Sequence, residues 1–290
     1  MHTYNKERYS QGGVVISHID EEKNIEIAFE KPITELVIDE KTEVWNLEKE
    51  NKDASRHKDL HVFGDFCYIS KGMVLNADEK TAKGKFKKDD LISEIYDEIH
   101  CRKYIEAKDF SRYSINRVRY LEYGTKRSPK LLSRATFEQW FCIPKVYINR
   151  IGNLQATLNI ENQIIHNDSI SVKRYSHHSR EEMEELSKKV NLYYLLAILN
   201  SKYASHLLSI QRGGLSIYPE HIRNLPIPIA SPSDMQALSE YAKQELTLHQ
   251  KLKEAKLPQD KTVIENGIKV LDSKIDMLVY KIYGVKGDET

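Results

Sequence analysis

Ser169-Ile170-Ser171-Val172 and Leu192-Tyr-Tyr-Leu-Leu-Ala-Ile-Leu199 lie on either side of a polar, acid-rich stretch and follow different periods. The first is a short β-branched run of strand type. The second continues through Tyr203, Leu207 and Ile210 at helical spacing, and Gly213-Gly214 stops it. Strands before this point and helices after it make the expected fold class α+β. Between the two periods, Ser179-Arg-Glu-Glu182 has capping-box spacing, and a charged surface loop fits the same residues.

Upstream, Phe66-Cys-Tyr-Ile-Ser70, Arg119-Tyr-Leu-Glu-Tyr123 and Lys145-Val-Tyr-Ile-Asn149 are further candidate strands. Gly72, Gly124, Pro129, Pro144 and Gly152 punctuate them, so a small, twisted, mixed β-sheet with flanking helices is expected. Still earlier, Val14 to Ile19 and Ile25 to Phe29 flank an acidic turn and predict a hairpin, with residues 48–59 as a linker. Downstream, Leu225-Pro-Ile-Pro-Ile229 is extended because proline cannot continue a helix. Ser233 caps a helix to about Ala255, and Leu257-Pro-Gln-Asp260 turns the chain. Ile264, Ile268, Leu271, Ile275, Leu278 and Ile282 then alternate steps of four and three, a coiled-coil seam that packs on its own hairpin neighbour. Each helix of about 22 residues is roughly 33 Å long. Three parts are expected: a β-rich leading segment and linker (1–59), a sheet domain (60–230), and a C-terminal antiparallel helical hairpin (231–290).

The chain of 290 residues is 40% hydrophobic and 30% charged, a globular balance that excludes a disordered tail. Its net charge of +1 hides an asymmetry. Residues 1–60 carry 9 basic and 14 acidic side chains, whereas residues 102–150 carry 12 and 4. Such a segment suits a polyanionic partner. Cys67, Cys101 and Cys142 form no disulfide framework, the polar start has no apolar leader, and Leu192 to Leu199 is too short to span a bilayer. A soluble cytoplasmic protein with no membrane partner is the expectation.

The sequence has no Gly-rich donor loop, no Asn/Asp-Pro-Pro-aromatic element and no Walker-type loop, so catalytic residues are expected to be none. Asp39-Glu-Lys41 has the acid-x-Lys pattern of a metal-dependent nuclease. Glu21-Glu-Lys23 and Asp78-Glu-Lys80 match it equally, so a solvated turn is the preferred reading. The cysteines and His177-His178 have no metal-ligand spacing, and no metal site is expected. The positive signal is the basic segment. Arg112, Arg117, Arg119, Lys126, Arg127, Lys130, Arg134 and Arg150 lie among Tyr104, Tyr113, Tyr120, Tyr123, Trp140 and Tyr147. Cations neutralise phosphates, and arginine forks pair with guanine edges. The plainer alternative is that these cations pair with carboxylates while the aromatics fill a core.

Seven pieces then occur in one order: Phe63-Gly-Asp-Phe-Cys-Tyr-Ile-Ser-Lys-Gly-Met-Val-Leu-Asn76, Lys103-Tyr-Ile-Glu-Ala-Lys-Asp-Phe-Ser-Arg-Tyr113, Pro144-Lys-Val-Tyr-Ile-Asn-Arg150, His166-Asn-Asp-Ser-Ile170, Leu195-Leu-Ala-Ile-Leu-Asn-Ser-Lys202, Tyr218-Pro-Glu-His-Ile-Arg-Asn-Leu-Pro-Ile-Pro228 and Tyr280-Lys-Ile-Tyr-Gly-Val285. Over about residues 60–285 they resemble the TaqI-like C-terminal specificity domain, the target recognition domain of type IIG restriction–modification enzymes and adenine-specific DNA methyltransferases. Leu75 stands where that family often has a second glycine, and Ala107 where a glycine commonly precedes the Lys-Asp pair.

The resemblance implies sequence-specific recognition of double-stranded DNA by a chain that is not itself an enzyme. It also implies a methyltransferase or restriction catalytic region as partner, to which S-adenosylmethionine and Mg belong, leaving no cofactor in this chain. A separate subunit, an excised piece and the remnant of a split gene are all compatible with the sequence. The eight cations named above are the expected DNA contacts, projecting together from the sheet. Lys108, Asp109, Asn200 and Ser201 are expected to be scaffold. The competing expectation is a protein-interaction or adaptor module that uses the terminal coiled coil, including for self-association.

Overall fold

The structure, a computed structural model, describes residues 60–134, 144–161, 163–175, 180–212 and 214–285, and the backbone of 13–19 and 25–32. The 48–59 linker, Asp39 and Lys41, Trp140, Cys142, His177-His178, Ser179 and Gly213 lie outside the described residues. The chain forms two compact units, Met1–Asp59 and Leu60–Thr290. In the first, β1 (Gly13–Ile19) and β2 (Ile25–Pro32) pair antiparallel as the hairpin predicted from their two β-branched runs, with a register shift between Ile16 and Ser17.

The second unit is α+β. Its strands are β3 (His61–Val62), β4 (Cys67–Lys71), β5 (Ile92–Ser93), β6 (His100–Glu106), β7 (Phe110–Ser111), β8 (Ser114–Ile115), β9 (Arg119–Glu122), β10 (Lys145–Ile148), β11 (Ala156–Asn159), β12 (Ile165–Asn167), β13 (Ile170–Arg174) and β14 (Pro226–Ile227). Two four-stranded sheets form where one was expected. The order β11-β10-β13-β4 is wholly antiparallel, while β12-β6-β9-β5 is mixed through the parallel pair β12 and β6. The missed strand β6 carries charges along its length and β11 is buried throughout, so neither shows the alternation that marks a half-exposed strand.

Eight helices occur among the described residues: α1 (Phe63–Phe66), α2 (Leu75–Thr81), α3 (Glu181–Lys188), α4 (Leu192–Leu199), α5 (Lys202–Gln211), α6 (Pro219–Arg223), α7 (Pro232–Glu254) and α8 (Pro258–Tyr283). None is long and apolar enough to cross a membrane. Asn191 caps α4, its Oδ1 accepting from the Tyr193 and Tyr194 amides at 3.0 Å each. The continuous helical spacing from Leu192 to Ile210 predicts one helix, yet the chain breaks at Asn200-Ser201. Ser201 Oγ accepts from the Ala204 amide and starts α5. The Asn200 carboxamide meanwhile accepts from the Ala156 amide and donates to the Ala156 carbonyl, both at 2.9 Å. Side-chain bonding to a strand outcompetes helix continuation here.

The main core lies between the antiparallel sheet and α4, where Leu192, Leu195, Leu196, Ile198 and Leu199 are buried with Val146, Ile148, Ile170 and Val172. The hairpin α7–α8 shares that core through Leu238, Ala242, Ile275 and Val279. Ser231 Oγ caps α7, two residues before the expected cap, and Gly284 at φ 67° closes α8 in the left-handed region that favours glycine. Leu271 and Ile275 of the expected seam are buried, and Ile264, Ile268, Leu278 and Ile282 are half-buried. Met73, Leu75, Phe86, Leu91, Tyr104, Leu121, Leu132 and Ile165 form a second core on the mixed sheet.

Asn200→Ala removes the side-chain partner of the buried Ala156 amide, so it should cost about 1–3 kcal/mol in urea unfolding at unchanged slope. A loss below about 0.5 kcal/mol would show that the clamp is dispensable.

Candidate nucleic-acid interface

Strand register aligns one end of the antiparallel sheet. Ala156 faces Ile148, Ile148 faces Ile170, and Ile170 faces Lys71, so four strands end in one row. Arg150 lies just beyond β10, Asp168 just before β13, and Lys71 closes β4. Gly72 follows because a Cβ there would meet the His166 carbonyl oxygen at 2.3 Å. Arg134 reaches this end from the loop after β9, its guanidinium donating to the Lys71 carbonyl at 2.9 Å. Arg150 forms an ion pair with Asp168, and its guanidinium carbon lies 5.9 Å from the centroid of the exposed Tyr218 ring.

The loop that carries Arg150 is held firmly. Asn149 Nδ2 donates to the Ile151 and Asn153 carbonyls at 2.7 Å each, and its Oδ1 accepts from the Gln155 amide at 2.8 Å. Arg134 at φ 65° and Asp168 at φ 50° both occupy the left-handed region. For arginine that backbone costs about 1–2 kcal/mol, and such outliers gather at functional sites. Burial, and then the charges of Arg150 and Arg134, draw the Lys71 ammonium below the ordinary lysine value, while Asp168 pulls the other way. Three cations around one carboxylate leave the corner electropositive.

The remaining expected contacts are placed differently. Arg119 is 6% exposed, and its guanidinium is committed to Glu106 at 3.0 Å and to Asp109. It is a structural cation rather than a surface one. Arg112 is half-buried and bonds Asp272 of α8 at 2.6 Å and the Asn200 carbonyl at 3.0 Å, tying the β7–β8 ribbon to the helices. Arg117 is exposed and pairs with Glu94, and Arg127 pairs with the buried Glu122. Lys126 and Lys130 are exposed between β9 and Arg134. Of the eight, the structure therefore brings Arg134 and Arg150 together, adds Lys71 and Tyr218, and withdraws Arg119. Both additions fall within the motifs quoted above. A lysine that closes a strand just before a glycine was the available signal for Lys71.

Glu106 is the centre of a buried ionic cluster. Tyr104 donates to it at 2.8 Å, Lys108 pairs with it at 3.0 Å, and Lys88 and Arg119 complete its shell. Burial raises its carboxyl, but the combined bonds from Lys88, Arg119, Tyr104 and Lys108 win and hold it well below the usual carboxylate range. Asp109 Oδ2 accepts from the Glu106 amide at 2.8 Å, and the Asp109 carbonyl accepts from the Asn116 and Arg117 amides. Asp109, like Asn200 and Ser201, is thus occupied with backbone. Among the described residues no group of three or more His, Cys, Asp or Glu is placed to hold a metal ion.

Compared with protein-family models and with curated proteins, the chain matches none.

Arg119→Ala takes the cation from the buried Asp109 carboxylate and one of several partners from Glu106, and should cost about 3–5 kcal/mol in denaturant unfolding. Because the folded Glu106 carboxyl is depressed, its stabilisation is present above its unfolded value of about 4.3 and is lost as pH falls below that. Glu106→Gln should therefore flatten the acid limb of stability against pH. An acid limb equally steep in this variant would contradict the cluster's role.

Proposed function

We propose that this chain is the DNA-recognition module of an adenine-methylating restriction–modification system, reading a duplex sequence for a catalytic region that lies outside it. The observation that carries this reading is the meeting of Lys71, Arg134 and Arg150 beside the exposed Tyr218 ring on one rigid sheet end. Phosphate binding needs converging cations at a fixed spacing, and base contact needs a platform that does not yield. Lys126 and Lys130, exposed earlier in the same loop as Arg134, are further candidate phosphate contacts. The seven ordered motifs supply the remaining support, including the assignment of S-adenosylmethionine and Mg to the catalytic partner. Under this reading the chain acts by binding, in the cytoplasm, and catalyses nothing itself.

A second reading, an adaptor, is favoured by one feature of α8. Val263, Val270 and Met277 are exposed at seven-residue intervals on the helix whose inner seam already packs in the hairpin. Such a line suits a helix of the catalytic partner or of a second copy.

Five cations, Lys71, Lys126, Lys130, Arg134 and Arg150, predict a log–log salt slope near −4.5 for duplex binding, at about −0.9 each. Arg134→Ala should flatten that slope by about 0.9 and weaken all duplexes alike, as measured by fluorescence anisotropy. Duplex binding indifferent to salt would sink the proposal.

A further inference from the structure

Beside the cations stand three large apolar side chains in solvent: Ile151 is 67% exposed, Leu215 70% and Tyr218 50%. Single exposed apolar residues need no explanation, but exposed apolar side chains that two locked loops hold near one another beside cations suit a contact surface. These residues come from two loops locked to each other. The Ile217 amide donates to the Arg150 carbonyl at 2.7 Å, and the Gly152 amide donates to the Leu215 carbonyl at 3.0 Å. Arg212 adds a bond from its guanidinium to the Gly152 carbonyl at 2.7 Å, and Ile151 bridges Ser216 antiparallel. Gly152, which follows Ile151, sits at φ 84°, in the left-handed region. Backbone and side-chain bonds therefore lock the two loops to each other.

We propose that Ile151 and Leu215 form an apolar wedge that presses between base pairs of a bound duplex, with Tyr218 behind it, while Lys71, Arg134 and Arg150 take the flanking phosphates. This inference rests on the DNA reading above and adds how sequence is read. Charge complementarity selects the occupant, because the wedge shares its base with three cations that suit the phosphates on either side of a base step. Proteins that insert branched aliphatic side chains into DNA partly unstack a step, and the cost depends on the sequence being opened. A wedge thus confers specificity without hydrogen bonds to base edges.

The test uses the full chain and a pool of short duplexes with a randomised centre. Bound duplexes are selected, and 2-aminopurine then replaces each adenine of the enriched sequence in turn. The wild type should enrich a sequence and brighten 2-aminopurine at one step. The variant I151S/L215S should lose the brightening and bind the selected duplex about tenfold more weakly with an unchanged salt slope. Both substituted side chains are exposed, and Leu257→Ser on the hairpin turn serves as the exposed-residue control. A pool without enrichment, or an enriched duplex that brightens nowhere, overturns the wedge while leaving salt-dependent duplex binding intact. Full affinity of I151S/L215S for the selected duplex also overturns it, and loss of a protein partner instead would assign these side chains to a protein interface. A wild type that retains no duplex at any salt refutes the DNA reading itself, and the wedge with it.

Discussion

The carboxamide of Asn200 on the backbone of Ala156 is the contact on which the rest of the architecture depends. Ala156 is the first residue of the row Ala156–Ile148–Ile170–Lys71, and this row carries the cationic corner. Asn200 also ends α4, and the chain redirected by Ser201 becomes α5, which leads to the loop bearing Leu215. One side chain thereby fixes the edge strand to the helical layer and sets the path toward the loop that braces Arg150. An edge strand left open would present unpaired backbone, and here two side-chain bonds and the Tyr113 amide occupy Ala156 instead.

The α+β class and the terminal hairpin were legible because each rests on a period: β-branched runs before the acidic stretch, and steps of three and four after it. What periodicity cannot register is competition between a side chain and the backbone. Leu192 to Ile210 keeps helical spacing straight through Asn200, since the apolar stripe is preserved on both sides of the break. Charge counting misses burial for a related reason. The basic segment has only four carboxylates, yet Glu106, Asp109 and Glu122 are all buried and each engages an arginine of the same segment. Composition reports how many charges a segment holds and says nothing about which face each pair adopts. Lys71 lay outside the basic segment, and only register brings it beside Arg150.

Two kinds of arginine therefore occur in the segment, and the exposure of their carboxylate partners separates them. The Arg119 fork lies in a low-dielectric interior with Glu106 and Asp109, where losing either partner leaves an uncompensated charge. Arg150 pairs with Asp168, whose side chain is 44% exposed, so the carboxylate keeps much of its hydration. The Arg150 side chain is itself only 17% exposed, so the pair is half-buried. Its physical consequence is to hold a planar fork in one place.

The left-handed backbones at Arg134 and Asp168 fit the same logic. Aspartate enters that region readily through local hydrogen bonding, whereas arginine has no such help and must be held by its surroundings. The bond from Arg134 to the Lys71 carbonyl ties the strained residue to the end of β4. A glycine at 134 would adopt this backbone without cost and would also delete the cation. Keeping arginine in an unfavourable conformation makes sense only if its charge at that position outweighs the strain, and the Lys71 ammonium, on which Arg134 and Arg150 both act, is repulsive. Among the described residues, Asp168 is the carboxylate set against this crowding at Lys71. An anionic ligand at the sheet end would supply further compensation.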